Sequence, residues 1–160
     1  MEISITPIGR IETPFDDLIN MPIQPIGAEG IKGKVILEQE YKKGLKDLEG
    51  FSHIILVFFF HKSDNVKLTA KPYLEETEHG IFATRGPSRP SHIGVSVVKL
   101  NRIEENVLHI SNVDMLNGTP LLDIKPYVPQ FDNADKVEIG WLAQRIDKAD
   151  THRADDRFLK

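Results

Sequence analysis

The 160-residue sequence contains no cysteine. This absence excludes disulfide bonds, thiolate nucleophiles, iron–sulfur clusters and cysteine-ligated zinc sites. No apolar run approaches the roughly 20 residues that cross a bilayer, and the first residues lack the basic start and apolar core of a signal peptide. A cytoplasmic protein without a membrane segment is therefore the default expectation.

Motifs of several common enzyme classes are also missing. There is no G-x-G-x-x-G fingerprint between a strand and a helix, no Walker A loop, no G-x-S-x-G motif and no triad visible by motif. The histidines that could ligate a metal do not pair with carboxylates at ligand spacing. These are His53, His79, His92 and His109. The sequence therefore predicts neither a dinucleotide-type fold nor a metal site.

A strong positive charge is absent too. The formal net charge is −4 and the isoelectric point is near 5.9, whereas nucleic-acid-binding domains usually have a basic face. The distribution of charge weakens this objection, because residues 81–103 contain four cations, one histidine and no acid. The cations are Arg85, Arg89, Lys99 and Arg102. Such a strip can contact a phosphate backbone, but a solvated strand face explains it equally well.

What the sequence does contain is a series of short apolar segments typical of β-strands. Residues 54–60 are seven consecutive apolar residues, which predicts a central strand buried on both faces. Residues 95–100 and 107–110 are predicted to pair as a hairpin across a polar turn at 104–106. Further strands are predicted at 3–11, 34–38 and 121–124.

Helices are few in this prediction. Residues 39–48 and 135–146 have apolar residues at helical spacing, and the last dozen residues are charged and expected to fray. The pattern favours a mainly β fold, as a small barrel or a curled sheet. We assign residues 1–132 to the barrel and residues 133–160 to a helical and charged C-terminal extension of the same domain.

Two segments combine prolines, glycines and charged residues between apolar strands. Residues 82–100 are FATRGPSRPSHIGVSVVKL, and residues 111–129 are SNVDMLNGTPLLDIKPYVP. Pro87 and Pro90 stiffen the backbone on either side of Arg89, because proline fixes its own φ and restricts the preceding residue. Stiff polar loops of this kind often hold binding and catalytic groups.

These segments resemble the TsaA-like family of the TrmO type. The family patterns are F-x-T-R-S-P-x-R-P-N-x-I-G-x-S-x-V-x-L and D-x-L-D-G-T-P-V-L-D-I-K-P-Y. The matching residues are Phe82, Thr84, Arg85, Pro87, Arg89, Pro90, Ile93, Gly94, Ser96, Val98, Leu100, Asp114, Leu116, Gly118, Thr119, Pro120, Leu122, Asp123, Ile124, Lys125, Pro126 and Tyr127. Residues 8–15 and 50–62 resemble the family as well, so the likeness covers most of the first 130 residues.

Characterised members of this family are tRNA methyltransferases that depend on S-adenosylmethionine. The resemblance implies a compact antiparallel β-barrel rather than a Rossmann fold. It also implies a homodimer, with active sites near the interface closed by loops of both subunits. The implied substrate is the anticodon loop of tRNA, methylated at N6 of threonylcarbamoyladenosine at position 37.

The resemblance also implies the residues that bind the cofactor. Arg85 suits the carboxylate of the methionine moiety, and Asp114 suits its ammonium or the ribose hydroxyls. The implied set is Pro22, Ile23, Gln24, His61, Lys62, Arg85, Val95, Asp114, Met115, Leu116 and Asn117. The residues alone leave two alternatives open: an arginine paired with a structural carboxylate, and a turn in which Asp114 and Asn117 bond their own backbone.

The candidates on the acceptor side are Asp123, Lys125 and Tyr127, which strand alternation places on one face. Asp123 can accept the proton that leaves nitrogen, Lys125 can contact phosphate, and Tyr127 can stack on the base or bond to it. Arg89 is a further candidate for contact with phosphate. A surface Asp–Lys pair without a catalytic role is the alternative.

The sequence departs from the family pattern at three positions. Gly86 replaces serine, Ser91 replaces asparagine, and Asn117 replaces an acid, which would weaken any contact to a cation there. The sequence also ends soon after the predicted barrel, without the additional C-terminal domain of some bacterial relatives. If that domain helps to hold tRNA, this protein is expected to bind RNA differently or to act on another substrate. Two other functions remain open: methylation of a small-molecule or protein amine, and a non-catalytic module that senses the cofactor or binds RNA.

Overall fold

The computed structural model describes residues 1–159 and contains six strands that close into an antiparallel barrel. The strands of the barrel are β1 (Gly9–Glu12), β2 (Lys32–Leu37), β3 (His53–Phe59), β6 (Ile93–Glu104), β7 (Val107–Ser111) and β8 (Thr119–Pro126). Their order around the barrel is β1–β2–β7–β6–β3–β8, and β8 closes the circle by pairing with β1. This architecture confirms the predicted mainly β barrel.

The segment between β3 and β6 contains regular structure. β4 (Thr69–Ala70) and β5 (His79–Gly80) form a separate two-stranded antiparallel sheet. The backbone N–H of Lys67 donates to the carbonyl of Ser88, and that of Ile81 donates to the carbonyl of Leu68. These bonds fasten the segment to the loop that follows β5.

The barrel core is built from alternate residues of each strand. On β3 the inward residues Ile54, Leu56 and Phe58 are buried, whereas the intervening Ile55 and Val57 are only partly buried. The prediction that residues 54–60 are buried on both faces is therefore wrong. A barrel strand turns one face to the core and the other outward, so the apolar run leaves an apolar outer face.

The predicted hairpin and final strand are confirmed. β6 pairs with β7 across the predicted turn, with Glu104 opposite Val107. β8 includes residues 121–124 and extends them at both ends. The predicted strand at 3–11 is largely wrong, because β1 begins only at Gly9 and the side chains of Ile3 and Ile5 are exposed.

The two predicted helical segments are present as short 3₁₀ helices rather than as α-helices. Residues 39–48 contain the 3₁₀ helix Gln39–Leu45, and residues 135–146 contain only the short 3₁₀ helix Gly140–Gln144. Gly140 has a φ of +56°, a left-handed conformation that interrupts a right-handed helix. Within the described residues the single α-helix is the one-turn α1 (Pro129–Asp132), and no helix is long and apolar enough to span a membrane.

The C-terminal segment packs against the barrel loops instead of fraying as expected. Arg153 forms an antiparallel β-bridge with Pro22. The N–H of Ala154 donates to the carbonyl of Met21, and the N–H of Asn20 donates to the carbonyl of Ala154, each at 2.8 Å. Residues 153–154 of the predicted extension, residues 133–160, thus lie along residues 20–22, and residue 160 is outside the described part.

Candidate active site

A cleft of about 730 Å³ lies between the C-terminal segment and the loops that precede β2 and β6. Its walls are mainly apolar. The predicted cofactor residues that line it are Pro22, Ile23, Gln24, Arg85 and Asp114. The fold therefore brings together residues from three distant parts of the sequence.

A recess of about 50 Å³ adjoins this cleft and contains four more of the predicted residues: His61, Lys62, Met115 and Leu116. The recess and the cleft share Asp114 and Phe158 as lining residues, so they form one continuous site. Burial, followed by the charge of Lys62, lowers the pKa of His61 and favours its neutral form.

Two of the predicted cofactor residues lie outside the cleft. Val95 is 47% exposed on the outer face of β6, although Val97, two residues further on the same face, lines the cleft. Asn117 faces another part of the surface: its Oδ1 accepts from the N–H of Thr13 at 3.1 Å, and its Nδ2 donates to Asp16 at 3.1 Å. Asn117 thus connects its turn to residues 13–16.

Asp114 is the acidic group of the cleft. The hydroxyl of Ser96 donates to its Oδ1 at 2.7 Å. Burial raises the pKa of Asp114 to about 7, although the hydrogen bond from Ser96 and the charge of Arg85 act in the opposite direction. A carboxyl group that titrates near neutrality in a cleft is a candidate for function.

Arg85 is the exposed cation of the cleft. Its Nη1 donates to Oε1 of Gln24 at 3.2 Å, which links two of the predicted cofactor loops. Within the described chain no carboxylate lies within 4.0 Å of its guanidinium. The alternative of a structural ion pair for Arg85 is therefore not observed, and the guanidinium is available to a ligand.

Arg89 stabilises the loop that carries Arg85. Its Nη1 donates to the carbonyls of Thr84 and Gly86, at 3.1 Å each. The side chain is partly buried. Its bonds to the carbonyls on either side of Arg85 hold that backbone in place, and the predicted contact of Arg89 with phosphate stays a prediction.

The C-terminal segment contributes wall residues that the sequence analysis did not identify. Trp141 donates from Nε1 to the carbonyl of Ala83 at 2.8 Å and stacks on His79 with ring centroids 4.7 Å apart. Phe158 contacts the ring of Tyr73 edge-on, at 5.1 Å between centroids. The available signal was the presence of two large aromatic residues in a mainly polar C-terminal segment: Trp141 in the predicted helical stretch and Phe158 among the last dozen residues.

The three acceptor-side candidates are near one another but not in the cleft. Nζ of Lys125 lies 2.8 Å from Oδ2 of Asp123, and this hydrogen bond raises the pKa of Lys125. The hydroxyl of Tyr127 donates to Oδ1 of Asn133 at 3.1 Å. Strand β8 places Asp123 and Lys125 beside the outer face of β3, since Asp123 is opposite Val57.

Comparison with known proteins identifies the family to which this chain belongs. Residues 10–133 match the family model described as the tRNA-methyltransferase O N-terminal domain, which is more than half of the chain. The chain belongs to the TrmO family. Of the residues described, none form a group of three His, Cys, Asp or Glu side chains that could hold a metal ion.

The relatives of this chain differ in length, so the chain covers different shares of them. A probable S-adenosyl-L-methionine-binding protein of Pyrococcus abyssi is 50% identical over 153 residues, which are 96% of this chain and 83% of that protein. The tRNA (adenine(37)-N6)-methyltransferase of Rattus norvegicus is 37% identical over 139 residues, 82% of this chain. This chain spans only 32% of the rat enzyme.

The TrmO family also contains structures that superpose on this barrel. The crystal structure of TrmO from Pseudomonas aeruginosa matches with a TM-score of 0.75 at 37% sequence identity. The match covers 88% of this chain and 63% of that one. The barrel with its few short helices is thus the fold of this family.

Proposed function

We propose that this protein is an S-adenosylmethionine-dependent methyltransferase that modifies tRNA, at N6 of the threonylcarbamoyl-modified adenosine 37. The observation that carries the proposal is the mainly apolar cleft whose walls contain the carboxyl group of Asp114 and the guanidinium of Arg85, which has no carboxylate partner among the described residues. The names of the Pyrococcus abyssi and rat relatives support the cofactor and the reaction.

The chemistry of the cleft fits S-adenosylmethionine. This cofactor combines an adenine ring with a carboxylate, an ammonium and a sulfonium, and when bound it supplies a transferable methyl group. Ile23 and Phe158 offer apolar surface for the ring. The guanidinium of Arg85 suits the carboxylate, and the ionised carboxyl of Asp114 suits the ammonium or the ribose hydroxyls.

The contribution of the protein to methyl transfer is mainly positional. N6 of adenosine is a weak nucleophile because its lone pair is delocalised into the ring. Holding the reactants in near-attack geometry can supply up to about 7–11 kcal/mol. A nearby group must also accept the proton that leaves the nitrogen, and Asp123 is the carboxylate that we propose for this role.

The proposed homodimer brings that group to the cleft. The outer faces of β3 and β6 are apolar, with Phe59 opposite Ile93 and Val57 opposite Val95. Phe59, Ile93 and Val95 are 36%, 37% and 47% exposed, respectively. A contiguous apolar face of this kind is typical of an interface, and a second copy of the chain can cover it through the same face.

The position of this face relates the dimer to the active site. On β6 it continues from Val95 to Val97, which lines the cleft. On the other side it borders β8, where Asp123 is opposite Val57 and Lys125 is opposite Ile55. A dimer through this face would place Asp123, Lys125 and Tyr127 of one subunit beside the cleft of its partner, and Val95 beside the cofactor.

Calorimetric titration with S-adenosylmethionine tests the proposal. The native protein is expected to bind, and Arg85→Ala is expected to lose most of the affinity. Arg102→Ala, which removes an exposed arginine outside the cleft, serves as the matched control and should bind normally. Absence of binding by the native protein would contradict the proposed cofactor.

Methyl transfer to threonylcarbamoylated tRNA then separates the remaining functions. Incorporation of labelled methyl into this tRNA, but not into tRNA without the modification, supports the proposal. Cofactor binding with transfer only to a small-molecule or protein amine would support the first alternative. Cofactor binding with no turnover on any acceptor would support the non-catalytic module.

A further inference from the structure

A second concave surface lies outside the cleft, on the outer side of β1, β2, β7 and the end of β6. It encloses about 820 Å³, and we call it the basic groove. The cations that line it are Arg10, Lys32, Lys34 and Arg102. Asn117 is the one predicted cofactor residue that lines this surface, and it lies outside the cleft, while the acceptor-side candidates do not line it. The proposed function therefore leaves the groove without a role.

Strand alternation explains why the cations share one face. On β2, Lys32 and Lys34 are exposed while Val35 is buried in the core. Lys34 is directly opposite Glu12 on β1 and His109 on β7. The inward residues of these strands build the core, so the outward residues necessarily form a continuous surface.

The charges of the groove are only partly compensated. Arg10 pairs with Glu12 at 3.1 Å, and Arg102 pairs with Glu104 at 3.1 Å. Throughout the described residues, Lys32 and Lys34 have no carboxylate within 4.0 Å. Glu12 is the one acid among the lining residues described, so the groove is locally positive in a chain of net charge −4. A positive concavity attracts a polyanion.

The groove and the cleft lie on two sides of one turn. Asp114 lines the cleft, whereas Asn117 and Gly118 line the groove. Thr13 holds this turn in place, because its hydroxyl donates to the carbonyl of Met115 at 2.8 Å. A ligand that lies along the groove therefore passes next to the segment that carries the acidic group of the cleft.

The lining chemistry indicates which part of a nucleic acid would be bound. The described residues of the groove include Asn101, Ser111 and Thr13 as hydrogen-bonding groups, but no Phe, Tyr or Trp on which a base could stack. Base recognition in single strands relies on aromatic stacking, whereas phosphate and sugar contacts need cations and polar groups. The groove thus suits the backbone of the nucleic acid.

We propose that the basic groove binds the sugar–phosphate backbone of the RNA substrate, beyond the nucleotide that enters the cleft. This inference rests on the proposed function. It explains how an acidic barrel can bind tRNA through its own surface. The contact is independent of base sequence, because it involves phosphates rather than base edges.

The test measures tRNA affinity across a range of salt concentrations for the native protein and for Lys32→Ala/Lys34→Ala. Loss of two phosphate contacts is expected to weaken binding about 3–10-fold near 0.1 M salt and to lower the slope of log K against log salt by about 1–2. The matched control, Lys43→Ala/Lys46→Ala, removes two exposed lysines outside the groove and should leave the slope unchanged.

Calorimetry with S-adenosylmethionine and the methyl-transfer assay distinguish the two proposals. If the native protein methylates tRNA but both lysine variants show the native salt slope, the groove proposal is wrong and the proposed function stands. If the slope falls only in the groove variant but no methyl is transferred, the groove proposal stands and the methyltransferase proposal fails. Absence of any tRNA binding by the native protein would overturn both.

Discussion

Gly86 and Phe158 are in such close contact that a side chain at residue 86 would require the Phe158 ring to shift. A Cβ atom at residue 86 would lie 2.9 Å from Cε1 and Cζ of the Phe158 ring, closer than side-chain atoms normally approach. Gly86 is also a position where the family pattern has serine. The glycine at this position therefore allows Phe158 of the C-terminal segment to pack against the loop.

Gly86→Ser is expected to push Phe158 out of the cleft wall. The predicted result is weaker binding of S-adenosylmethionine, by about three- to tenfold, which corresponds to about 0.7–1.4 kcal/mol. In a Phe158→Ala background the same serine should have little further effect, because its clash is already removed. Calorimetric titration of the two single variants and the double variant gives the coupling between the residues.

If the effects of Gly86→Ser and Phe158→Ala on cofactor affinity simply add in the double variant, this explanation of Gly86 is wrong. Phe158→Ala by itself is expected to lower the free energy of unfolding by about 1–3 kcal/mol, less than a fully buried phenylalanine, because the ring is only partly buried. Denaturant unfolding of each variant shows whether the loss of cofactor affinity is separate from a loss of stability.

The buried carboxyl of Asp114 predicts a dependence of stability on pH. Its pKa rises on folding from 3.8 to about 7, so the folded state favours the protonated form. The corresponding stability is fully present below about pH 4 and is lost as pH rises towards about 7. Asp114→Asn keeps an acceptor for Ser96 without the charge. It should therefore be more stable than the native protein at pH 8, by up to about 4 kcal/mol, and similar at pH 4.

Denaturant unfolding of the cofactor-free protein at several pH values measures this difference. Ser96→Ala provides a second variant: it removes a hydrogen bond that favours the ionised form, so the pKa of Asp114 should rise further. An Asp114→Asn variant whose stability advantage is the same at pH 4 and pH 8 would show that the carboxyl does not titrate in this range.

Trp141 is expected to report cofactor binding through its fluorescence. It is the single tryptophan of the sequence and lines the cleft. A ligand that displaces water from the cleft changes the surroundings of the indole, so emission should shift with saturation at the calorimetric dissociation constant. Trp141→Phe should bind with similar affinity and lose the signal. Binding by calorimetry with unchanged native emission would place the cofactor away from this wall.

Mixed dimers test whether two subunits share one active site. Arg85→Ala and Asp123→Asn homodimers are each expected to be inactive. If the site is shared, one of the two active sites of a mixed dimer contains both native residues. Refolding equal amounts of the two variants together makes about half of the dimers mixed, so about a quarter of the native activity should be restored. If both residues act within one subunit, the mixture stays inactive. Gel filtration of each variant checks that dimers form.

Local patterns predicted the β-hairpin and β8 correctly, because the alternation of apolar residues and the polar turn at 104–106 are properties of neighbouring residues. The helical segments at 39–48 and 135–146 were predicted from the same kind of pattern, and the structure contains only short 3₁₀ helices there. Spacing of apolar residues does not distinguish 3₁₀ from α geometry, and the left-handed conformation of Gly140 breaks the second segment.

The family, the mainly β character and nine of the eleven candidate cofactor residues that line the cleft or its recess could be predicted from the sequence, since these depend on residue identity and short-range pattern. The tertiary structure decided what meets in space. Barrel closure left the outer face of β3 exposed, brought Phe158 against Gly86, and placed Lys32 and Lys34 in a groove with Arg102. Contacts between residues far apart in the chain depend on strand order and register, which no local pattern records.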